Sequence, residues 1–123
     1  MIGVFTGVIF LIVIFLPWDL YYEPHVIFNS IGSLALIFVV VLFALATYLN
    51  EDYPNRYFLV YLIYTIIVVI YLIVMFTGPS FTSAEGLRIQ ATWQKILLFA
   101  GIITILIQGY GAWKLEQSFS VNI

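Results

Sequence analysis

The chain alternates between four apolar runs and three short polar segments. Each polar segment combines charged residues with a proline, which is typical of turns between helices. A helix needs about 20 apolar residues to cross a hydrocarbon core of roughly 30 Å, and the first run is close to the minimum length. We therefore predict an all-α integral membrane protein with four antiparallel transmembrane helices, at about residues 2–18, 25–49, 56–77 and 92–114.

Helix is the expected conformation of all four runs. The third run is rich in β-branched residues, which favour strands, but a lone strand in lipid leaves its backbone groups unpaired. The first run lacks the positively charged start and the small-residue cleavage site of a signal peptide. We therefore expect the first run to be retained as a membrane span.

The last helix is expected to begin before the membrane. A Gly-Pro-Ser segment at 78–80 ends the third helix, and Thr82 with Glu85 has the spacing of a capping box. From there a helical pattern continues to about Leu115, roughly 50 Å at 1.5 Å per residue, which exceeds a bilayer core. Residues 82–92 are therefore predicted to form an interfacial helical extension.

Composition places these helices in lipid rather than in water. The 123 residues are 64% hydrophobic and 8% charged, whereas a soluble domain is about a quarter charged. A soluble fold of this size could not hide so much apolar surface. The net charge of −2 and the lack of a basic run argue against nucleic acid as a partner. One transmembrane domain covering residues 1–123 follows.

Cysteine and histidine usage limits the chemistry. The chain has no cysteine for a disulfide or a thiolate, and its one histidine, His25, is too few for a multi-histidine metal site. We therefore predict no catalytic residue, no metal and no cofactor. A tyrosine stripe on one face of the third helix leaves a bound lipid or quinone as an alternative, although packing against neighbours is the favoured interpretation. The stripe comprises Tyr57, Tyr61, Tyr64 and Tyr71.

The basic residues barely orient the chain in the membrane. Four spans put both termini and the second polar segment on one side, and the first and third polar segments on the other. Arg56 and Lys114 lie on the first of these sides, and Arg88 and Lys95 lie on the second. The positive-inside count is therefore balanced. The N-terminal amine tips this count, so we expect the termini in the cytoplasm.

The first candidate site is an interfacial polar cluster, drawn from the two polar segments that share a membrane side. It comprises Asp19, Glu23 and His25 before the second span, and Glu85, Arg88 and Lys95 before the fourth. The three members on the fourth helix share one polar stripe with Thr92. Interfacial anchoring is the favoured interpretation of these charges. One alternative is an ionic vestibule that leads to Asn29 and Ser33, and another is a proton relay by His25 alone.

The second candidate site is a set of uncharged polar residues inside the spans. It comprises Asn29 and Ser33 on the second helix, and Thr104 and Gln108 on the fourth. Such groups commonly cross-link helices, at about 1 kcal/mol or less apiece, and this is the favoured interpretation. A pore selective for a small solute is the alternative. Gly3 and Gly7 also form a GxxxG pair, which predicts close packing of another helix on the first.

These features favour a structural role over an autonomous activity. The loops are short, every helix is apolar, and no active site is recognisable. We therefore expect a non-catalytic accessory subunit of a larger integral membrane complex, of the respiratory or membrane oxygenase type. Its partners would be membrane lipids and other integral membrane subunits, or further copies of itself. The alternative function is a small homo-oligomeric channel or transporter for an ion or small solute.

Overall fold

The structure is a computed structural model that describes residues 2–17, 20–80 and 82–120. This part of the chain forms four helices, α1 (Ile2–Phe15), α2 (Tyr22–Leu49), α3 (Asn55–Thr77) and α4 (Ala84–Ser120). The last three are long and apolar enough to cross a membrane. The predicted all-α class and these three apolar helices are therefore confirmed.

α1 is shorter than the sequence predicts. It ends at Phe15 rather than near residue 18. Pro17 is the cause, because a proline disfavours helical geometry in the residue before it, and Leu16 accordingly bends out of the helix. With 14 residues, α1 spans about 21 Å, which is less than the roughly 30 Å of a hydrocarbon core.

α2 and α3 lie close to their predicted bounds. α2 begins three residues early, at Tyr22, and ends at Leu49 as predicted. Pro24 lies in its first turn, where a missing N–H removes no helical hydrogen bond. α3 begins one residue early, at Asn55, and ends at Thr77 as predicted.

α4 is one continuous helix of 37 residues, about 55 Å long, so the predicted extension is helical and joined to the last span. Its capping residue is Ser83 and not Thr82 as predicted. The Ser83 hydroxyl accepts a hydrogen bond from the Gly86 backbone N–H over 3.0 Å. Because Gly86 occupies the third helical position, Glu85 completes no capping box, although its charge lies in the favourable first turn.

The chain forms two compact units, Met1–Val40 and Val41–Ile123, and the single domain expected from the sequence stays a prediction. In the first unit, α1 packs on α2 at Gly32, where an added Cβ would lie 3.0 Å from an isoleucine side chain of α1. A Cβ at Gly3 or Gly7 would meet nothing within 4 Å. The predicted GxxxG pair therefore makes no helix contact within the described part of this chain.

The second unit is built on a hairpin of α3 and α4. The buried stripe of α3 consists of large side chains: Tyr57, Tyr64, Val68, Tyr71 and Met75. The buried stripe of α4 is smaller and more polar: Gly86, Gln90, Leu97, Thr104, Gln108 and Gly111. Neighbours in each stripe are three, four or seven residues apart, which keeps each stripe on one helix face. The large side chains of α3 thus pack against the smaller side chains of α4.

Two glycines of α4 let tyrosines of α3 approach its backbone. An added Cβ would lie 2.5 Å from Tyr57 Cε1 at Gly111, and 2.8 Å from the Tyr64 hydroxyl oxygen at Gly101. Both distances are too short for any side chain unless the neighbour moves, whereas glycine permits close helix approach. Two members of the predicted tyrosine stripe therefore pack against α4.

The end of α2 contacts α3 through aromatic rings. The rings of Phe43 and Tyr61 stack with centroids 5.9 Å apart, and those of Tyr48 and Phe58 lie 5.1 Å apart. Both separations are in the favourable range for aromatic pairs. The second unit thus joins the end of α2, α3 and α4.

Candidate functional site

Gln108 joins α4 to α3 and to the loop before α3. Its side-chain N–H donates to the Tyr57 backbone carbonyl oxygen over 2.8 Å. The Tyr53 hydroxyl donates to the Gln108 backbone carbonyl oxygen over 3.1 Å, and lies 3.5 Å from its side-chain oxygen. Thr104, one turn earlier, is buried on the same face. In this structure Gln108 is a hydrogen-bonded cross-link between α4 and α3.

Tyr53 acts in this contact as a neutral donor. It lies in the turn between α2 and α3, where burial raises the pKa of its phenol and the nearby Tyr57 raises that pKa further. The two rings meet edge to face, with centroids 5.0 Å apart. The ordinary pKa of a phenol already lies well above neutral pH and the shift is upward, so the Tyr53 hydroxyl is protonated there and can donate to Gln108.

A second glutamine makes a corresponding contact at the other end of the hairpin. The Gln90 side-chain N–H donates to the Val74 carbonyl oxygen over 3.0 Å, and the same oxygen accepts the Gly78 backbone N–H over 2.9 Å. Gln90 and Gln108 are 18 residues apart, which is five helical turns and about 27 Å along one face. Gln90 is not among the residues predicted from the sequence. Its spacing of five helical turns from Gln108 is the sequence signal that would have indicated it.

Two polar residues of α2, Asn29 and Ser33, are buried, and Ser30 beside them is half-buried. Ser30 bonds the carbonyl oxygen of Val26, four residues earlier, over 2.7 Å, as serines in helices commonly do. Ser33 is fully inaccessible, and its hydroxyl has no hydrogen-bond partner among the described residues. Asn29, on the same face, is also buried. Ser33 therefore retains unused hydrogen-bonding capacity, which an apolar environment makes costly.

A hydrogen bond from His25 links the start of α2 to the residue that follows α1. Its Nδ1 lies 2.6 Å from the carbonyl oxygen of Leu16, immediately after α1. A carbonyl can only accept, so this nitrogen carries the proton. Carbonyl groups at the end of a helix have no partner within the helix, and His25 supplies one here. This geometry favours an anchoring role for His25.

The predicted interfacial polar cluster stays a prediction. Asp19 lies outside the described residues, and the other members belong to different units of the chain: Glu23 and His25 to the first, and Glu85, Arg88 and Lys95 to the second. All three members on α4 are exposed, on the face away from Gln90. Glu85 and Arg88 line a shallow hollow with Thr92 and Trp93, as the predicted stripe requires.

The described residues contain no group of three His, Asp or Glu side chains that could hold a metal ion. Comparison with known proteins also gives no assignment: no family model, no curated protein and no solved structure matches this chain.

Proposed function

We propose that all four helices cross the membrane as an antiparallel bundle, with α1 as the shortest span. α2, α3 and α4 have the necessary length and apolar character. α1 contains no charged residue, and Thr6 is its only polar side chain, so its transfer into lipid is favourable. Its shortfall of about 9 Å is met by local thinning of the bilayer, which costs a fraction of a kcal/mol per Å.

Single-cysteine labelling tests this topology without background, because the natural chain has no cysteine. Cysteines at Gly3, Glu51 and Glu116 are expected to react with an impermeant maleimide from one side of sealed vesicles. A cysteine at Ser80 is expected to react only from the other side. Labelling of Gly3→Cys from the Ser80 side would show that α1 does not cross the membrane.

We propose that the protein is a non-catalytic accessory subunit of a larger integral membrane complex. The supporting observation is that three polar side chains of the hairpin are used for helix pairing: Tyr53, Gln90 and Gln108 each donate to a backbone carbonyl. Most of the exposed surface along the spans is apolar. In each long span, only 22% of the most apolar 18-residue window is buried within the chain, which leaves most of it to lipid and neighbouring helices.

Extraction in a mild detergent, followed by size and mass analysis, tests the subunit role. We expect the tagged chain to be recovered with at least one other integral membrane protein. Recovery of this chain alone, or only with copies of itself, would count against the proposal.

A small homo-oligomeric channel or transporter is the second candidate function. It is favoured by the buried Asn29 and by the unpaired hydroxyl of Ser33, because a solute path needs polar groups with free hydrogen-bonding capacity inside the membrane. Flux of protons or anions through the purified protein in liposomes tests this function. Flux that Asn29→Leu abolishes would favour the channel over the accessory subunit.

A further inference from the structure

Two surface hollows adjoin between the start of α3 and the end of α4, and we call them together the α3–α4 groove. Both are lined by Arg56, Tyr57 and Lys114, and the larger one has a volume of about 330 Å³. Its remaining lining is apolar or aromatic: Val60, Ile107 and Tyr110. The groove therefore combines two cations at its mouth with apolar walls.

The local packing holds one of these cations in place. The Arg56 guanidinium lies over the Tyr57 ring, with its carbon 5.2 Å from the ring centroid, which is within cation–π range. The Tyr57 ring is itself fixed against Gly111, where no side chain separates it from the α4 backbone. Arg56 is thus positioned by the same tyrosine and glycine contact that joins the helices.

The groove attracts anions more strongly than the net charge of the chain suggests. Neither Arg56 nor Lys114 forms an ion pair within the described residues. The carboxylates at this end of the hairpin, Glu51, Asp52 and Glu116, are exposed and line neither hollow. The N-cap of α3, Pro54, makes no side-chain cap, so the positive end of the helix dipole lies beside Arg56 without a capping side chain.

The depth of the groove indicates an amphiphile rather than a soluble anion. Arg56 is the second residue of α3, and Lys114 lies at the predicted exit of α4, so both belong at the membrane–water interface. Val60 is one helical turn further into the span than Arg56, and Ile107 is about two turns further in than Lys114. A ligand that fits carries negative charge at one end and hydrocarbon at the other.

We propose that the α3–α4 groove is a binding site for an anionic phospholipid. Its phosphate lies between Arg56 and Lys114, and an acyl chain follows Val60 and Ile107 into the bilayer. Basic pockets between transmembrane helices recognise anionic headgroups in this way. The inference requires only that α3 and α4 lie in a membrane, and it holds whether the protein is a subunit or a channel.

Native mass spectrometry of the purified full chain, titrated with phosphatidylglycerol or phosphatidylcholine, tests this site. We expect Arg56→Gln/Lys114→Gln to weaken phosphatidylglycerol binding about 25-fold, or about fivefold for each basic group. The other two cations provide a matched control, because Arg88→Gln/Lys95→Gln changes the net charge equally and should stay within about twofold of wild type. If the double variant folds poorly, Lys114→Gln alone tests the site, because it changes only one exposed side chain. We expect this single variant to bind phosphatidylglycerol about fivefold more weakly than wild type.

Three results would overturn the proposal. Equal losses in the two double variants would show a response to net charge alone. Equal binding of phosphatidylcholine would show that the groove does not select an anion. Displacement of the lipid by millimolar inorganic phosphate would show that the cations bind free phosphate and that the apolar walls contribute nothing.

Discussion

Gly101→Leu is expected to destabilise the α3–α4 hairpin by about 1–3 kcal/mol, the usual range for overpacking. The first added carbon would lie 2.8 Å from the Tyr64 hydroxyl oxygen and 3.3 Å from the ring carbon that bears it. Tyr64 is buried and cannot turn away without breaking the packing of α3 on α4. Reversible unfolding of the purified protein in mixed micelles measures the change in free energy.

Gly109 provides the control on the same helix. A Cβ at Gly109 would meet nothing within 4 Å, so Gly109→Leu adds the same side chain to an open surface. We expect its free energy of unfolding to stay within about 0.5 kcal/mol of wild type, as for other surface substitutions. If both variants lose the same stability, the tyrosine–glycine contact does not hold the hairpin together.

Replacing both cross-linking glutamines, Gln90→Leu/Gln108→Leu, is expected to cost about 1–2 kcal/mol. Each substitution removes a hydrogen bond from α4 to an α3 carbonyl, and such bonds contribute about 1 kcal/mol or less in membranes. The two positions are about 27 Å apart, so their effects should add. The same unfolding measurement on the two single variants and the double variant checks both the size and the additivity.

Gln94→Leu is the matched control for this pair. Gln94 lies on α4 between the two glutamines and makes no hydrogen bond within the described residues. The variant therefore gains the same apolar side chain without losing a hydrogen bond between helices. A loss of stability at Gln94 as large as that at Gln108 would assign the effect to changed helix packing rather than to the cross-links.

Local signals in the sequence were sufficient to predict most of the helical segments. Turn residues mark the ends of α2 and α3, and a long apolar run continues through α4. The errors were also local: α1 ends at Phe15, two residues before Pro17, and Ser83 caps α4 in place of Thr82. In both cases the sequence pattern indicates a helix end in the correct region, and the error lies in the choice of residue within that region.

The pairing of the helices is less accessible from sequence. Between Lys95 and Lys114, α4 is apolar on most of its faces, so hydrophobic periodicity does not show which face meets α3. The small and polar residues decide it, since Gln90, Gly101 and Gln108 share the buried face. From the sequence, Arg56 and Lys114 contribute only to the prediction of membrane orientation. They line one groove because α3 pairs with α4, and the sequence does not show this pairing.

The mass and composition of the particle released from the native membrane test the accessory role most directly. Polymer discs that retain the surrounding lipid would avoid losses caused by detergent. We expect one particle that contains this chain and at least one other integral membrane protein in a fixed ratio. A particle that holds only this chain and lipid, in one copy or several, would contradict the subunit role.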